Sequence, residues 1–212
     1  MYWADQSAAS HYRAHDLSAE DAQRALAIRS RKAQADWQVS RALLHDIRQF
    51  FPAPGALSLS HSAGHAICAR APAGFAVGAD VERIRPRDVL RMAEWVCSKV
   101  EQHTLSGLSG AAQLEHFYLL WTLKESFIKA AKLDFPADMA SVGLAARAGG
   151  GWALCAPAGV WRACSWRIGD DWMASVAWQA SSLAPAPPQW RAGAGSVLPP
   201  IELIGDWRSL AG

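Results

Sequence analysis

Two acidic residues stand two positions apart in Val77-Gly78-Ala79-Asp80-Val81-Glu82. On a strand, the period of two puts Asp80 and Glu82 on one face and Val81 on the other, so both carboxylates point the same way. Adjacent like charges repel, and a Mg²⁺ ion would resolve the repulsion. That hard cation takes oxygen ligands and commonly combines one or two carboxylates with substrate phosphates. The ordinary alternative is a surface pairing of Glu82 with Arg83 or Arg85. Forty residues on, the run Phe117-Tyr118-Leu119-Leu120-Trp121-Thr122-Leu123-Lys124-Glu125-Ser126-Phe127-Ile128-Lys129 carries the second group of polar candidates. At helical spacing it is apolar nearly all round, as a buried helix is. Its polar stripe includes Tyr118, Thr122, Glu125, Ser126 and Lys129, with Glu125 and Lys129 four apart on one face. A stripe of that kind on a buried helix lines a cleft; a plain surface ion pair is the other reading. Lys124 projects into the apolar arc, where an ammonium needs a carboxylate or phosphate partner. The third candidate is His61 in Ser58-Leu59-Ser60-His61-Ser62. A histidine closing a strand among hydroxyls can donate to a phosphate, though a lone histidine is more often simply hydrogen-bonded structure.

The elements that must position these residues follow from patterning. Ser18, with Glu20 and Asp21 behind it, reads as a helix start, and a helical region extends, with a possible break, to about Phe51. Between Gln23 and Gln49 six bases (Arg24, Arg29, Arg31, Lys32, Arg41, Arg48) face two acids (Asp36, Asp46), a local excess of four positive charges. A solvated helix face explains this as well as an anion site does. Ala56 to His61 alternates as a half-buried strand does. Ala63 to Ala69 and Ala73 to Val81 read as two more strands. Pro86 is then expected in the first turn of an amphipathic helix reaching about Val96. Leu114 to about Lys132 is a second long helix, closed before Pro136. Strands are expected again at Ala153-Leu154, Val160 to Ile168 and Trp172 to Trp178. Helices, strands, helices, strands: the order predicts an α+β protein of two similar halves. The expected divisions are an N-terminal lobe over 1–76, a C-terminal lobe over 77–180, and a Pro- and Gly-rich extension over 181–212. That extension includes Ala184-Pro185-Ala186-Pro187-Pro188, and Ile201 to Leu210 is expected to dock back onto the body.

Composition narrows the function. With 212 residues, 51% hydrophobic and 19% charged, the chain has ample material for a core. Eleven tryptophans, whose indole N–H groups want partners when buried, are expected at lobe contacts and cleft walls. A net charge of +2 does not support a broad nucleic-acid footprint, so any anion site must be local. Four cysteines (Cys68, Cys97, Cys155, Cys164) without metal-type spacing are read as reduced thiols. No apolar run approaches the roughly 18 residues of a membrane span, and no export signal opens the chain, so a cytoplasmic protein is expected. Neither a GxSxG nucleophile elbow nor a P-loop or dinucleotide glycine fingerprint is present.

Taken together in order and spacing, Ser60-His61-Ser62, Gly78-Ala79-Asp80-Val81-Glu82 and Trp121-Thr122-Leu123-Lys124-Glu125-Ser126-Phe127-Ile128-Lys129 resemble the 4′-phosphopantetheinyl transferases of the surfactin-synthetase-activating type. The resemblance covers roughly residues 17 to 180. It implies a pseudo-twofold α+β monomer that moves phosphopantetheine from coenzyme A to a serine of an acyl or peptidyl carrier protein and releases adenosine 3′,5′-bisphosphate. By the same resemblance Asp80, Glu82 and Glu125 hold Mg²⁺, with Mn²⁺ accepted by the same oxygens. Glu125 is the general base, and Lys129 serves the α-phosphate and leaving group. Lys124 is expected to find its anion on the coenzyme as well. Ser60 and His61 match the contact to the 3′-phosphate, and Arg41, Arg29 and Lys32 align with bases around the nucleotide. Arg83, Arg85 and Arg87 would meet the acidic helix of a carrier protein. The family's Gly-Lys-Pro hairpin before the histidine strand has no counterpart, since only residues 51–56 bridge Phe50 and Leu57. Two other readings stay open: a paralogue that binds coenzyme A or carrier protein without efficient transfer, and a Mg²⁺-dependent phosphohydrolase.

Overall fold

The structure is a computed structural model, and it describes residues 1–147, 150–179 and 188–209. The chain opens with β1 (Tyr2–Ala4) and a 3-10 helix (Gln6–His11), followed by α1 (Ala19–Ala27) and α2 (Arg31–Phe50). Ser18 caps α1 by accepting from Asp21 N, and Ser30 caps α2 by accepting from Ala33 N. Between the two caps Ile28 is extended, which is the break in the helical region. The strands β2 (Gly55–Ser62) and β3 (His65–Pro72) form a hairpin. Its two-residue turn, Ala63-Gly64, has φ of 46° and 79°. Positive φ at both centres is what lets so short a loop follow the strand twist. Asp36 of α2 accepts a hydrogen bond from Gly64 N and so pins the hairpin tip to the helix.

The second half begins with β4 (Val77–Arg83), followed by α3 (Val89–Val96), α4 (Lys99–Ser106) and α5 (Gly110–Ala131). Asp88 caps α3, so Pro86 lies ahead of the cap and not within the first turn as its sequence suggested. The strands β5 (Gly143–Ala146) and β6 (Trp152–Cys155) form a small hairpin, and β7 (Trp161–Ile168) and β8 (Trp172–Gln179) a larger one. Two more strands follow, the two-residue β9 (Arg191–Ala192) and the eight-residue β10 (Ile201–Arg208). The first sheet has the order β2-β3-β1-β9 and the second β10-β7-β8-β4. Each half is therefore a mostly antiparallel sheet carrying one long helix, α2 on the first and α5 on the second, an α+β architecture of two comparable parts. The segment after residue 187 returns to both sheets, β9 alongside β1 and β10 alongside β7. Residues 184–187 of the Pro-rich run lie outside the described residues.

Three apolar clusters follow from this layering. One surrounds α5, with Phe117, Leu120, Leu123 and Phe127 fully enclosed, which is why that helix is apolar on nearly every side. A second lies between the two sheets, where Trp3, Ile67 and Ala69 of the first meet Ala79, Val81, Trp166, Trp172 and Trp178 of the second. Four tryptophans thus sit buried at the contact between the halves, and two of them, Trp3 and Trp172, also line an open pocket beside Asp5, His65 and Asp171. A third packs α2 on the first sheet through Val39, Leu43 and Ile47. Among the described residues all four cysteines are free thiols, and only Cys155 is exposed. No helix among them is long and apolar enough to cross a membrane.

Candidate active site

The two sheets meet along the edge strands β2 and β4. Strand periodicity sorts β2 into two faces: Leu57, Leu59 and His61 turn toward α2, while Ser58, Ser60 and Ser62 turn toward β4. An edge strand leaves a row of backbone N–H groups unpaired. On β4 two of these are taken by serine hydroxyls: Ala79 N donates to Ser58 Oγ at 2.9 Å and Val81 N to Ser60 Oγ at 3.3 Å.

β4 also faces α5. A Cβ added to Gly78 would lie 2.0 Å from the carbonyl oxygen of Ser126 and 2.6 Å from Ala130 N. Only glycine allows the helix backbone to lie this close to the strand. That approach brings Lys129 onto the strand, where its Nζ donates to Asp80 Oδ1 at 2.8 Å and to the carbonyl of Ala79 at 3.1 Å. Beneath, Thr122 Oγ1 and Ser175 Oγ are 2.7 Å apart, and Ser175 is equally close to Ser165. Ser175 is the cross-strand partner of Asp80, so this buried hydroxyl chain ties α5 to the sheet next to the acidic residue.

Asp80 is buried, with 5% of its surface exposed. Its Oδ1 accepts from both Ser60 Oγ at 2.7 Å and Lys129, whereas its Oδ2 is enclosed without any hydrogen-bond partner. Glu82 Oε2 accepts from Ser62 Oγ at 2.8 Å. Burial holds the Glu82 carboxyl above its ordinary value, and the charge of Asp80 pushes the same way. Glu125 is raised for the same two reasons in the same order, with Glu82 adding to the effect and Lys129 opposing it. The three carboxylates thus share one electrostatic environment with a single adjacent lysine. Among the described residues, no group of three or more His, Cys, Asp or Glu side chains is drawn together tightly enough to hold a metal ion. The donor chemistry nevertheless suits a hard divalent cation: oxygen ligands only, excess negative charge, and one carboxylate oxygen left unpaired in the interior.

His61 stands on the opposite face of β2, next to α2. Burial pushes its ring below the ordinary histidine value, and it feels Asp36, Arg41, Lys129 and Asp80, charges drawn from both halves. Arg41 stacks 4.0 Å over the Trp37 ring and pairs with Asp21 at 3.3 Å. Lys32 is exposed in the first turn of α2, one turn before Asp36, and Arg29 is exposed in the connection before that helix. The structure therefore brings Arg41 into the electrostatic neighbourhood of His61 and leaves Arg29 and Lys32 exposed, without a hydrogen bond or ion pair to them among the described residues.

Two expected coenzyme contacts do not stand as the sequence suggested. Lys124 is fully buried and finds its anion inside the protein, with Nζ 2.8 Å from Glu101 Oε2 and donating to the carbonyls of Met139 and Val142. Its donors are all used, so it reaches no phosphate. Ser60 spends its one hydroxyl proton on Asp80 and accepts from Val81 N, which leaves nothing to donate to a 3′-phosphate. Sequence reasoning missed the serine contacts to β4 and the role of Gly78. The alternation of Ser58, Ser60 and Ser62 was the available signal, since period two already places them on one face.

The part of this geometry carried by β4 and α5 lies within a recognisable segment. Residues 76–177 match the family model of the 4′-phosphopantetheinyl transferase superfamily. That segment, a little under half of the chain, is similar to this family. It holds β4 and α5, and with them Asp80, Glu82, Glu125 and Lys129. The chain is 37% identical over 89 residues to the 4′-phosphopantetheinyl transferase Sfp of Bacillus subtilis (strain 168), covering 41% of this chain and 38% of that protein. It is 35% identical over the same length to a second Bacillus subtilis 4′-phosphopantetheinyl transferase. The match thus spans about 38% of the length of these curated relatives. Among solved structures, a holo-(acyl-carrier-protein) synthase from Bacillus anthracis in complex with CoA (3′,5′-ADP) aligns with TM-score 0.43 and 15% identity, covering 50% of this chain and 96% of that one.

Proposed function

We propose that the protein is a phosphopantetheinyl transferase that moves the 4′-phosphopantetheine of coenzyme A onto a serine hydroxyl of an acyl or peptidyl carrier protein. The observation that carries this reading is the ion pair of Lys129 on α5 with Asp80 on β4, with Glu82 and Glu125 in the same electrostatic neighbourhood, inside the family-matched segment. In the reaction the serine oxygen forms a bond to the phosphorus that bears pantetheine. The bridging P–O bond to the nucleotide breaks, and adenosine 3′,5′-bisphosphate leaves with the electron pair. Glu125 receives the serine proton, directly or through water. Lys129 stabilises negative charge on the leaving phosphate side. Asp80, Glu82 and Glu125 would hold a divalent ion, Mg²⁺ or Mn²⁺, which when bound supplies charge neutralisation at the pyrophosphate. His61 and Arg41 bind the nucleotide's phosphate end, with Arg29 and Lys32 at its rim. Arg83 at the end of β4, with Arg85 and Arg87 just beyond it, faces an acidic carrier surface.

A second reading, a paralogue that binds coenzyme A or carrier protein with little turnover, is favoured by the short connection of α2 to β2. Only residues 51–54 lie between these elements. The test is to incubate the chain with coenzyme A, Mg²⁺ and an apo carrier protein and to weigh the carrier intact. A phosphopantetheine adduct that disappears in Glu125→Gln is the expected result. Binding without adduct supports the paralogue, and coenzyme cleavage without carrier would identify a hydrolase instead.

A further inference from the structure

We propose that Ser60 and Ser62 are positioning residues: the hydroxyls of one half of the protein hold the two carboxylates of the other half in the orientation that receives the divalent ion. The proposal rests on the transferase reading above and adds to it a role for a strand outside the family-matched segment, since Ser60 and Ser62 precede residue 76.

The argument is one of hydrogen-bond accounting. Each carboxylate has two oxygens, and each serine has one proton to give. Ser60 gives its proton to Asp80 Oδ1, and Ser62 gives its proton to Glu82 Oε2. Lys129 adds a second donor to the oxygen of Asp80 that Ser60 already holds. The other oxygen of Asp80 is buried with no partner, and the one hydrogen bond to Glu82 among the described residues goes to Oε2, not Oε1. Both acids are therefore gripped by one oxygen and keep one oxygen free. That division fixes the rotation of each carboxyl group and leaves one lone-pair site apiece for a cation. Ser60 is fixed in turn because Val81 N donates to it, so the grip does not depend on side-chain packing alone. His61 lies between the two serines on the opposite face of the same strand. A single strand thus carries the proposed nucleotide contact on one side and the carboxylate supports on the other.

Ser58 provides the internal comparison. It makes the same kind of contact to the same strand, accepting from Ala79 N at 2.9 Å, but it touches no carboxylate. If the serines served only to hold the halves together, all three would be equivalent.

The experiment titrates the full-length, metal-free protein with Mn²⁺ and follows the free ion by electron paramagnetic resonance. It compares the wild type with Ser62→Ala, Ser62→Thr, Ser60→Ala and Ser58→Ala. Losing a hydroxyl that orients a metal-binding carboxylate costs roughly 10-fold in metal affinity. Ser62→Ala and Ser60→Ala are expected to weaken Mn²⁺ by about that factor, with kcat for carrier modification falling and the KM for coenzyme A unchanged. Ser62→Thr, which keeps the hydroxyl, restores both, and Ser58→Ala leaves Mn²⁺ binding as in the wild type. Equal losses in Ser58→Ala and Ser62→Ala would reduce the serines to seam packing and overturn the proposal. So would undiminished Mn²⁺ binding in Ser62→Ala from a protein whose wild type modifies the carrier. A wild type that neither binds Mn²⁺ nor modifies the carrier would instead overturn the transferase reading on which the proposal stands.

Discussion

Replacing Lys124 by methionine distinguishes a structural lysine from a substrate-binding one at a position flanked by the proposed catalytic glutamate. In the structure the ammonium has no surface exposure and makes three contacts, to Glu101 and to the carbonyls of Met139 and Val142. Glu101 is equally enclosed and already has two backbone donors of its own, Ser98 N and Leu144 N. Lys124→Met strands that carboxylate in the interior and leaves two carbonyls without their donor. Breaking a buried ion pair from one side costs about 3–5 kcal/mol. With a urea dependence of about 2–3 kcal/mol per molar, the unfolding midpoint should fall by roughly 1–2.5 M. That is a large share of a total stability of about 5–15 kcal/mol, so the measurement belongs at low temperature in the range where the variant is still folded. Adding Glu101→Gln removes the stranded charge but keeps an oxygen acceptor for only one of Ser98 N and Leu144 N, so it should recover only part of the loss, about 1–2 kcal/mol. The assay is urea unfolding followed by tryptophan fluorescence, alongside the KM for coenzyme A of whatever fraction is folded. An unchanged midpoint together with a raised KM would refute the assignment and return Lys124 to the coenzyme.

Other expectations follow from the same contacts. Gly78→Ala forces β4 and α5 apart, because the new methyl would overlap the backbone of Ser126 and Ala130; overpacking of this kind costs about 1–3 kcal/mol, and carrier modification should fall with it, while an active variant of wild-type stability would mean that the close approach is dispensable. Glu125→Gln should raise the melting temperature of the metal-free protein. The folded-state carboxyl is held above its ordinary value of 4.5, so its ionised form disfavours folding at neutral pH; the stabilisation should be full above the raised value and vanish as pH falls toward 4.5, and a gain that persists at low pH would point to a cause other than charge. His61→Ala should weaken coenzyme A far more than 3′-dephospho-coenzyme A in isothermal titration; equal losses would place His61 away from that phosphate.

Much of the framework is visible in the sequence because it is local. The cap at Ser18, the alternation through β2, and the all-round apolar α5 each depend on residues within a few positions of one another. The acidic pair on β4 and the Glu125–Lys129 spacing on α5 are legible for the same reason. What was not legible depends on contacts between distant segments. β1 is three residues long and gives no periodic signal, yet it pairs with β3 across more than sixty positions. The partner of Lys124 sits on α4, a helix of eight residues whose mixed composition did not announce it. A buried lysine predicts an anion, and periodicity cannot say whether that anion belongs to the protein or to a ligand.

The same distinction applies to Ser60 of β2, whose partner in the structure lies on a distant strand. Taken singly, Ser60 beside His61 looks like a phosphate contact, because a hydroxyl near a basic residue is free to donate until something else claims its proton. What claims it is an edge strand from the other half. β4 has unpaired N–H groups and carboxylates along the side that meets β2, and hydroxyls can serve both, accepting from the amides and donating to the acids. Alanine would satisfy neither, and a charged residue would either repel the carboxylates or neutralise them before a cation could. Serine at every second position is therefore a requirement set by the seam, and His61, on the face the seam does not use, is the residue of that segment left available for a ligand.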